Sequence, residues 1–330
     1  MSVFEEAGEL RKLWGGFWAS RVLLTANNYR VFDYLIKPQP AKTISKKLKT
    51  DLRAAEILLD ALTGIGLLKK NRDKYSNAPI AAKFLVRGSA YYQGDILRHA
   101  DTLWQNWSEL DEVIKTGKPA RKAHDHEAFI MGMHNIASLK AVDVIRKIGM
   151  KGVKTALDLG GGPGTYSIEM AKRGVDVTLF VRHETVNIAK RVISNPSLFL
   201  PLNKGRIGGV NNINFIEGDF ICDNIGRGYD LIFASQILHS LSEKDNLYLL
   251  KKCKRALNKR GRIVIQEFRL MKDRAHPAHS ALFSVNMLVN TEGGRSYSAD
   301  EMKNWLSKTG FKKAKEKLIG EAVIIQAFNL

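Results

Sequence analysis

The sequence predicts an open, doubly wound α/β sheet in the second half of the chain, preceded by a smaller, mostly helical domain. Three observations predict it. Residues 156–165 read Ala-Leu-Asp-Leu-Gly-Gly-Gly-Pro-Gly-Thr, an apolar run closing in a glycine loop. From there to Glu267, strand-length apolar runs alternate with helical patterns. Between Thr43 and Tyr75, two helical patterns are followed by a short hairpin. At 330 residues and 45% hydrophobic content, the chain is long enough for two cores. The expected division is 1–120 for the helical domain, 121–150 for a helical linker and 151–330 for the sheet domain.

In chain order, residues 13–18 and 21–27 carry large apolar side chains at helical spacing. Trp14, Phe17, Trp18 and Leu24 exceed what one thin amphipathic helix buries on a small domain, which leaves two destinations, a subunit interface or the domain's own core. Residues 44–48 read as a short helix, 51–65 as a longer one stopped by Gly66, and 67–75 as a hairpin wing. Together they describe a winged helix.

The formal charge of +19 raises the question of nucleic acid. A DNA-reading second helix presents basic or amide side chains to the groove. Here Arg53 stands against Asp51, Glu56 and Asp60, while Lys46, Lys47, Lys69 and Lys70 lie on the shorter helix and the wing. The charge therefore reads first as a lysine-rich solvated surface, and a winged-helix DNA-binding regulator stands as the lesser alternative.

Residues 95–114 read as one long helix containing Trp104 and Trp107. His124 and His126 follow in a polar stretch with no third ligand at metal spacing, so both are expected to be solvent-exposed and no metal is expected. A helix from Phe129 through Met131, Met133 and Ile136 towards Ile148 leads into the sheet domain. Cys222 and Cys253 fall inside expected ordered elements and offer no disulfide framework. No stretch approaches about 18 uncharged apolar residues. The start lacks the basic-then-apolar pattern of a signal peptide, and a cytoplasmic protein without a membrane span is expected.

The glycine loop carries the first chemistry. Gly160, Gly162 and Gly164 allow positive φ and close backbone approach to a ligand. The dinucleotide pattern G-x-G-x-x-G, started at Gly160, would end on Thr165. Asp158, two residues before the first glycine, would repel a pyrophosphate but accept hydrogen bonds from a sugar or an amino group. The loop thus favours an adenosyl cofactor without phosphates, S-adenosylmethionine first.

Strands at 175–180, 213–217, 229–234 and 263–267 continue the sheet, with helices at 184–192 and 243–257. Ligands of such sheets bind at the carboxyl ends of the strands. Those ends carry Asp158, Asp219, His239 and Glu267, with Ser235 at the end of the 229–234 run. Asp219 is placed to accept from an adenine amino group and Phe220 to cover the ring. His239 suits a general base, and Glu267 is placed to bind and orient its other ring nitrogen.

The chain from about Leu13 onwards resembles the small-molecule O-methyltransferases with an N-terminal winged-helix dimerisation domain, the group of caffeate, acetylserotonin and hydroxyindole-type enzymes. The resemblance rests on segments in the same order: 16–21, 31–35, 58–68, 157–164, 217–220, Leu238-His239, 261–267 and 292–295. It implies a Rossmann-like methyltransferase sheet and a homodimer whose N-terminal domains close the partner's site. It also implies methyl transfer from S-adenosylmethionine to a hydroxyl of a small aromatic or enolic acceptor. His239 would be the base, Glu267 its support, Met133 a neighbour of the sulfonium, and Phe283, Met287 and Asn290 the acceptor pocket.

Three positions depart from the family pattern. Where the family ends its second strand on an acid that holds the ribose hydroxyls, this chain reads Phe180-Val181-Arg182-His183-Glu184. Val181 accepts no hydrogen bond, so either Glu184 or His183 takes over, or cofactor binding is weakened or lost and the protein binds another ligand or is inactive. Arg182 adds a positive charge near a cationic cofactor. Ser296 and Ser240 stand where a second catalytic glutamate and an aspartate are often found.

Overall fold

The computed structural model describes residues 2–120, 122–195 and 212–330. It divides into two compact units, Met1–Asp101 and Thr102–Leu330. The division falls inside a helix near residue 101 rather than at 120, and the expected linker belongs wholly to the second unit.

In the first unit, α1 (Val3–Gly15) opens with a capping box between Ser2 and Glu5, and α2 (Phe17–Asn28) follows directly. A single turn, α3 (Val31–Tyr34), and strand β1 (Gln39–Pro40) lead into α4 (Ala41–Leu48) and α5 (Leu52–Gly64). Asp51 caps α5 by accepting from the Ala54 amide. The hairpin β2 (Leu68–Asn71) and β3 (Lys74–Asn77) pairs with β1 through β3. The core gathers Ala26, Phe32, Leu35, Ile44, Leu59, Leu62 and Tyr75.

Of the four large apolar residues near the start, only Leu24 enters the interior. Trp14, Phe17 and Trp18 stay 56%, 51% and 60% exposed, alongside Phe4 and Leu13 at 81% each. The intramolecular-core alternative is therefore wrong for the three aromatic residues. Residues 4–18 thus carry an exposed apolar stripe along α1 and the start of α2.

Beyond α6 (Pro79–Phe84), the expected helix 95–114 is two helices, α7 (Gly94–Trp107) and α8 (Leu110–Thr116). The Ser108 hydroxyl donates to the Trp104 carbonyl, and the Glu109 amide bonds to Asn106 instead of continuing the α-helical ladder. The expected run to Ile148 is also two helices, α9 (His126–Ser138) and α10 (Ala141–Ile148), bent by 64°. No single helix among the described residues is long and apolar enough to cross a membrane.

The second unit is built on a seven-stranded sheet of β4 (Thr155–Leu159), β5 (Asp176–Val181), β6 (Ile213–Glu217), β7 (Tyr229–Ser235), β8 (Leu257–Phe268), β9 (Lys312–Ile319) and β10 (Ala322–Phe328). Its order is β6-β5-β4-β7-β8-β10-β9. The first five strands run parallel, and the β9–β10 hairpin, which the sequence pattern did not reveal, closes the sheet antiparallel. Alternate residues serve opposite layers, as the period of a strand requires. Leu231, Phe233 and Val264 pack beneath α10 and α11 (Thr165–Ala171). Ile232, Ala234, Ile263 and Ile265 pack against α13 (Glu243–Ala256) and α15 (Ala299–Lys308). Helices α12 (His183–Ser194) and α14 (Ala278–Asn290) complete the unit.

Cys253 is buried in α13, where burial pushes its thiol up to about 12, whereas Cys222 is exposed in a turn rather than within an element. Strand order reverses at β4, which lies between β5 and β7, so the crevice opens above the carboxyl end of β4.

Candidate active site

The glycine loop leaves β4 at that reversal. Gly160, Gly162 and Gly164 all hold positive φ, at 65°, 53° and 78°. A Cβ on Gly160 would lie 2.5 Å from Ile237 Cδ1, and one on Gly161 would lie 2.4 Å from Asp158 Cγ. A Cβ on Gly162 would meet nothing within 4 Å, so this is the face where a ligand can approach bare backbone. Gly161 was not singled out by the sequence pattern; its requirement comes from the carboxylate directly beneath it.

That carboxylate, Asp158, is fully buried against Gly161. Its Oδ2 accepts from the Ser167 hydroxyl at 2.6 Å, tying the loop to α11, while Oδ1 has no partner. The direct sugar or amino-group contact expected of it is therefore a supporting contact in this structure. Burial raises its pKa from about 3.8 to about 6 against the lowering effect of Ser167. Between those values the folded state holds a proton that the unfolded chain has lost, so stability falls as pH rises through the window. Above pH 6 the penalty is constant, on the order of 3 kcal/mol. Asp158→Asn is expected to match wild type at pH 4 and to be the more stable protein at pH 7.5 in urea unfolding; equal midpoints at both pH values would overturn this account.

Asp219 and Phe220 follow β6, two strands from β4 in the sheet. Phe220 Cε1 lies 3.4 Å from the Cβ position of Gly160, so the ring borders the loop. Asp219 Oδ1 accepts from the Ile221 amide at 2.8 Å, and Oδ2 faces Arg182 Nη2 at 3.5 Å. Val181 is 3% exposed and packs with Leu179 and Ala189. Of the two candidate substitutes, His183 is paired with Glu217, and Glu184 is exposed on the first turn of α12.

His126 is not the free surface residue expected. Its Nε2 meets Thr185 Oγ1 at 3.1 Å, its ring packs 5.8 Å from that of His124, and burial lowers its pKa despite the nearby charge of Glu184. Met133 is half-buried on α9, and the neighbouring His134, which sequence reasoning missed, is buried with Nδ1 at 2.8 Å from Thr165 Oγ1. Thr165 directly follows the loop, so α9 is fastened to it. Ser235 closes β7 beside the Tyr166 hydroxyl, which burial pushes up to about 12.

On the other side of the crevice, His239 occupies a single turn, Leu238–Ser240, after β7. The chain enters that turn through Gln236 at φ 59°. Glu267, near the end of β8, accepts from the Leu238 amide at 2.8 Å and the His239 amide at 3.3 Å with Oε1. Its Oε2 lies 2.7 Å from His239 Nδ1. The carboxylate is acceptor-only when ionised, so Nδ1 carries the proton and Nε2 keeps its lone pair. The sequence placed these two residues together and the structure does so.

Phe283 stacks edge-on to the His239 ring at 4.9 Å, and Phe268 lies 4.5 Å from Phe283. Met287 is buried one turn further along α14. The Asn290 amide is already engaged, accepting from Asn106 Nδ2 at 2.9 Å and donating to the Asn286 carbonyl at 2.8 Å. Ser296 is buried with its hydroxyl donated to the Ser280 carbonyl, and Ser240 donates to the Ile237 carbonyl. Neither supplies a second acid or base. Among the described residues, no group of three or more His, Cys, Asp or Glu side chains is arranged to hold a metal ion.

Taken together, the loop, Asp219 and Phe220 fit an adenosyl group, and Val181 does not fit a ribose diol. An O-methyltransferase domain model matches residues 115–312, and an O-methyltransferase dimerisation domain model matches residues 12–87. The chain is 29% identical over 311 residues to a 3-hydroxy-5-methyl-1-naphthoate 3-O-methyltransferase from Streptomyces sahachiroi, covering 89% of this chain and 86% of that protein. It is 28% identical to the acetylserotonin O-methyltransferase of Gallus gallus, over 93% and 92% of the two chains. The fold superposes on the human N-acetylserotonin methyltransferase in complex with S-adenosylmethionine with a TM-score of 0.87 at 23% identity, covering 99% of each chain.

Proposed function

Because the chain belongs to the O-methyltransferase family of S-adenosylmethionine-dependent enzymes that act on small molecules, we infer that it methylates a hydroxyl of a planar aromatic or enolic acceptor, with His239 as general base. The observation that carries this reading is the His239–Glu267 pair, with Nε2 left as the free base beside an aromatic wall.

His239 Nε2 takes the hydroxyl proton of the acceptor, and Glu267 stabilises the imidazolium through Nδ1–H. Phe283 and Phe268 hold a flat ring against that base and exclude water. S-adenosylmethionine, when bound, supplies a methyl group already activated on a sulfonium. The protein's contribution is therefore chiefly positioning and removal of one proton. Gly160, Gly162 and Gly164, with Asp219 and Phe220, would hold the adenosyl end, and Met133 on α9 and Ser235 on β7 would complete the site.

A homodimer through the first unit follows from the same reading. The dimerisation-domain match and the uncovered Phe4, Leu13, Trp14, Phe17 and Trp18 support it. A DNA-reading role for α5 finds no such support, since Lys70 of the wing is drawn onto Asp60 at 2.6 Å.

Val181 favours a second reading, in which the site has kept its catalytic pair and lost affinity for the donor. Calorimetric titration with S-adenosylmethionine and with S-adenosylhomocysteine separates the two. Saturable heat with one site per chain is expected, and its absence for both ligands would sink the first reading.

A further inference from the structure

The turn that carries His239 is gripped by its amides on one side and by its carbonyls on the other. Glu267 takes the amides of Leu238 and His239. The carbonyls fall to Asn246, on the second turn of α13 and 0% exposed. Its Nδ2 donates to the Leu238 carbonyl at 2.9 Å and to the Leu241 carbonyl at 3.4 Å, so one amide group spans the residues that flank His239. Turned the other way, the amide would set an oxygen against two carbonyl oxygens, so its orientation is fixed.

The amide oxygen Oδ1 is sealed from solvent and has no partner among the described residues. A buried acceptor left unpaired opposes folding, and an apolar side chain of similar size would avoid that penalty. Leu249, Leu250 and Cys253 fill the neighbouring core positions of α13 in that way. What Asn246 supplies in return is the pair of donors. The other braces of the turn act further off. Tyr297 Oη donates to the Leu241 carbonyl at 2.6 Å, two residues beyond the histidine, and Ser240 Oγ donates to the Ile237 carbonyl at 2.7 Å. Gly294 crosses so closely that a Cβ there would lie 2.3 Å from the His239 carbonyl oxygen, which closes that side to a longer side chain.

We propose that Asn246 is a positioning residue for the base, acting through the peptide unit between Leu238 and His239. That unit has its C=O on Asn246 and its N–H on Glu267, so its plane is fixed at both ends, and with it the direction in which the imidazole leaves the backbone. With the carbonyl end released, the plane tilts about the Glu267 end, and the 2.7 Å contact between Glu267 and Nδ1 lengthens. The ring proton is then no longer confined to Nδ1, and Nε2 is no longer kept as the free base. A misplacement of about 1 Å at a reacting group can lower the rate on the order of 10²-fold. This rests on the reading of His239 as the base, and the tautomer of the ring is measured separately from turnover so that the two stand or fall independently.

The test uses nitrogen NMR on the full-length protein with isotope-labelled histidine, the His239 signals being assigned by their loss in His239→Ala. The neutral ring of the wild type is expected as a single Nδ1–H tautomer. Asn246→Leu removes both donors together with the unpaired oxygen, and should show a mixture of tautomers. Asn246→Ala, which adds no bulk to the core, should show the same mixture. Methyl transfer to 2-naphthol by either variant should fall about 10–100-fold in kcat, with KM within about twofold of the wild type. Tyr297→Phe serves as the control, since it takes a buried donor from the same turn without touching the Leu238–His239 peptide. It should keep the single tautomer and hold kcat within about threefold, even where it melts lower. A wild-type tautomer in both Asn246 variants, or a loss of kcat in Tyr297→Phe as large as theirs, would overturn the proposal. The expected mixture of tautomers, in a protein whose His239→Ala variant keeps its turnover, would leave Asn246 in place and remove the catalytic reading instead.

Discussion

His239→Ala is expected to lower kcat by about 10²–10⁴-fold, the range of a positioned general base, with S-adenosylmethionine affinity unchanged within a factor of two. The separation follows from position, because His239 follows β7 and faces Phe283 while the glycine loop follows β4. Glu267→Gln is the sharper companion. The amide oxygen would keep the bonds from the Leu238 and His239 amides, so the turn is preserved. The amide nitrogen would then face Nδ1 and donate to it, forcing the ring proton onto Nε2 and blocking the base. Loss comparable to His239→Ala is expected, with a melting temperature near that of the wild type. If His239→Ala retains more than a tenth of wild-type kcat, another group removes the proton and the assignment fails.

Val181→Asp is expected to tighten S-adenosylmethionine binding by tenfold or more. A carboxylate at the end of β5 would accept from both ribose hydroxyls, and each charge-assisted bond is worth about 1.5–3 kcal/mol. In the unliganded protein the same carboxylate replaces a side chain that is 3% exposed and packed on Leu179 and Ala189, so the variant should melt lower and recover on adding the cofactor. Val181→Asn, neutral and of similar size, controls for shape and should gain less. Calorimetry on the three proteins decides the matter, and no gain in affinity for Val181→Asp would show that position 181 does not face the ribose.

Arg182 bears on the same balance. Its guanidinium lies 3.5 Å from Asp219, in a largely solvated pair that salt screens. The carboxylate expected to meet the adenine amino group is thereby also the neighbour of a cation. Binding of the cofactor competes with that contact as well as lacking the ribose acid.

Much of the fold was legible because its signals are local. The glycines at 160, 162 and 164, the apolar period of each parallel strand and the helix-stop at Gly66 depend on residues within one or two turns of each other. The breaks in the long helical patterns were not legible. The ladder of α7 breaks where the Glu109 amide bonds to Asn106, three residues back, a choice invisible to hydrophobic spacing. The β9–β10 hairpin escaped because Lys312, Lys313, Lys315 and Lys317 mask β9, an edge strand that needs only one partner.

The sequence by itself determined the family and the places of the candidate residues: a glycine loop after one strand, His239 after another, Glu267 near the end of a third. Tertiary structure decided which way each side chain serves. Asp158, which reads as a ligand contact, is enclosed beneath Gly161 because the loop folds back over it. Asn290, which the resemblance assigns to the acceptor pocket, has its amide taken up by Asn106 and by the Asn286 carbonyl. The type of a residue is written in the chain, whereas the direction of its hydrogen bonds is set by partners more than a hundred positions away.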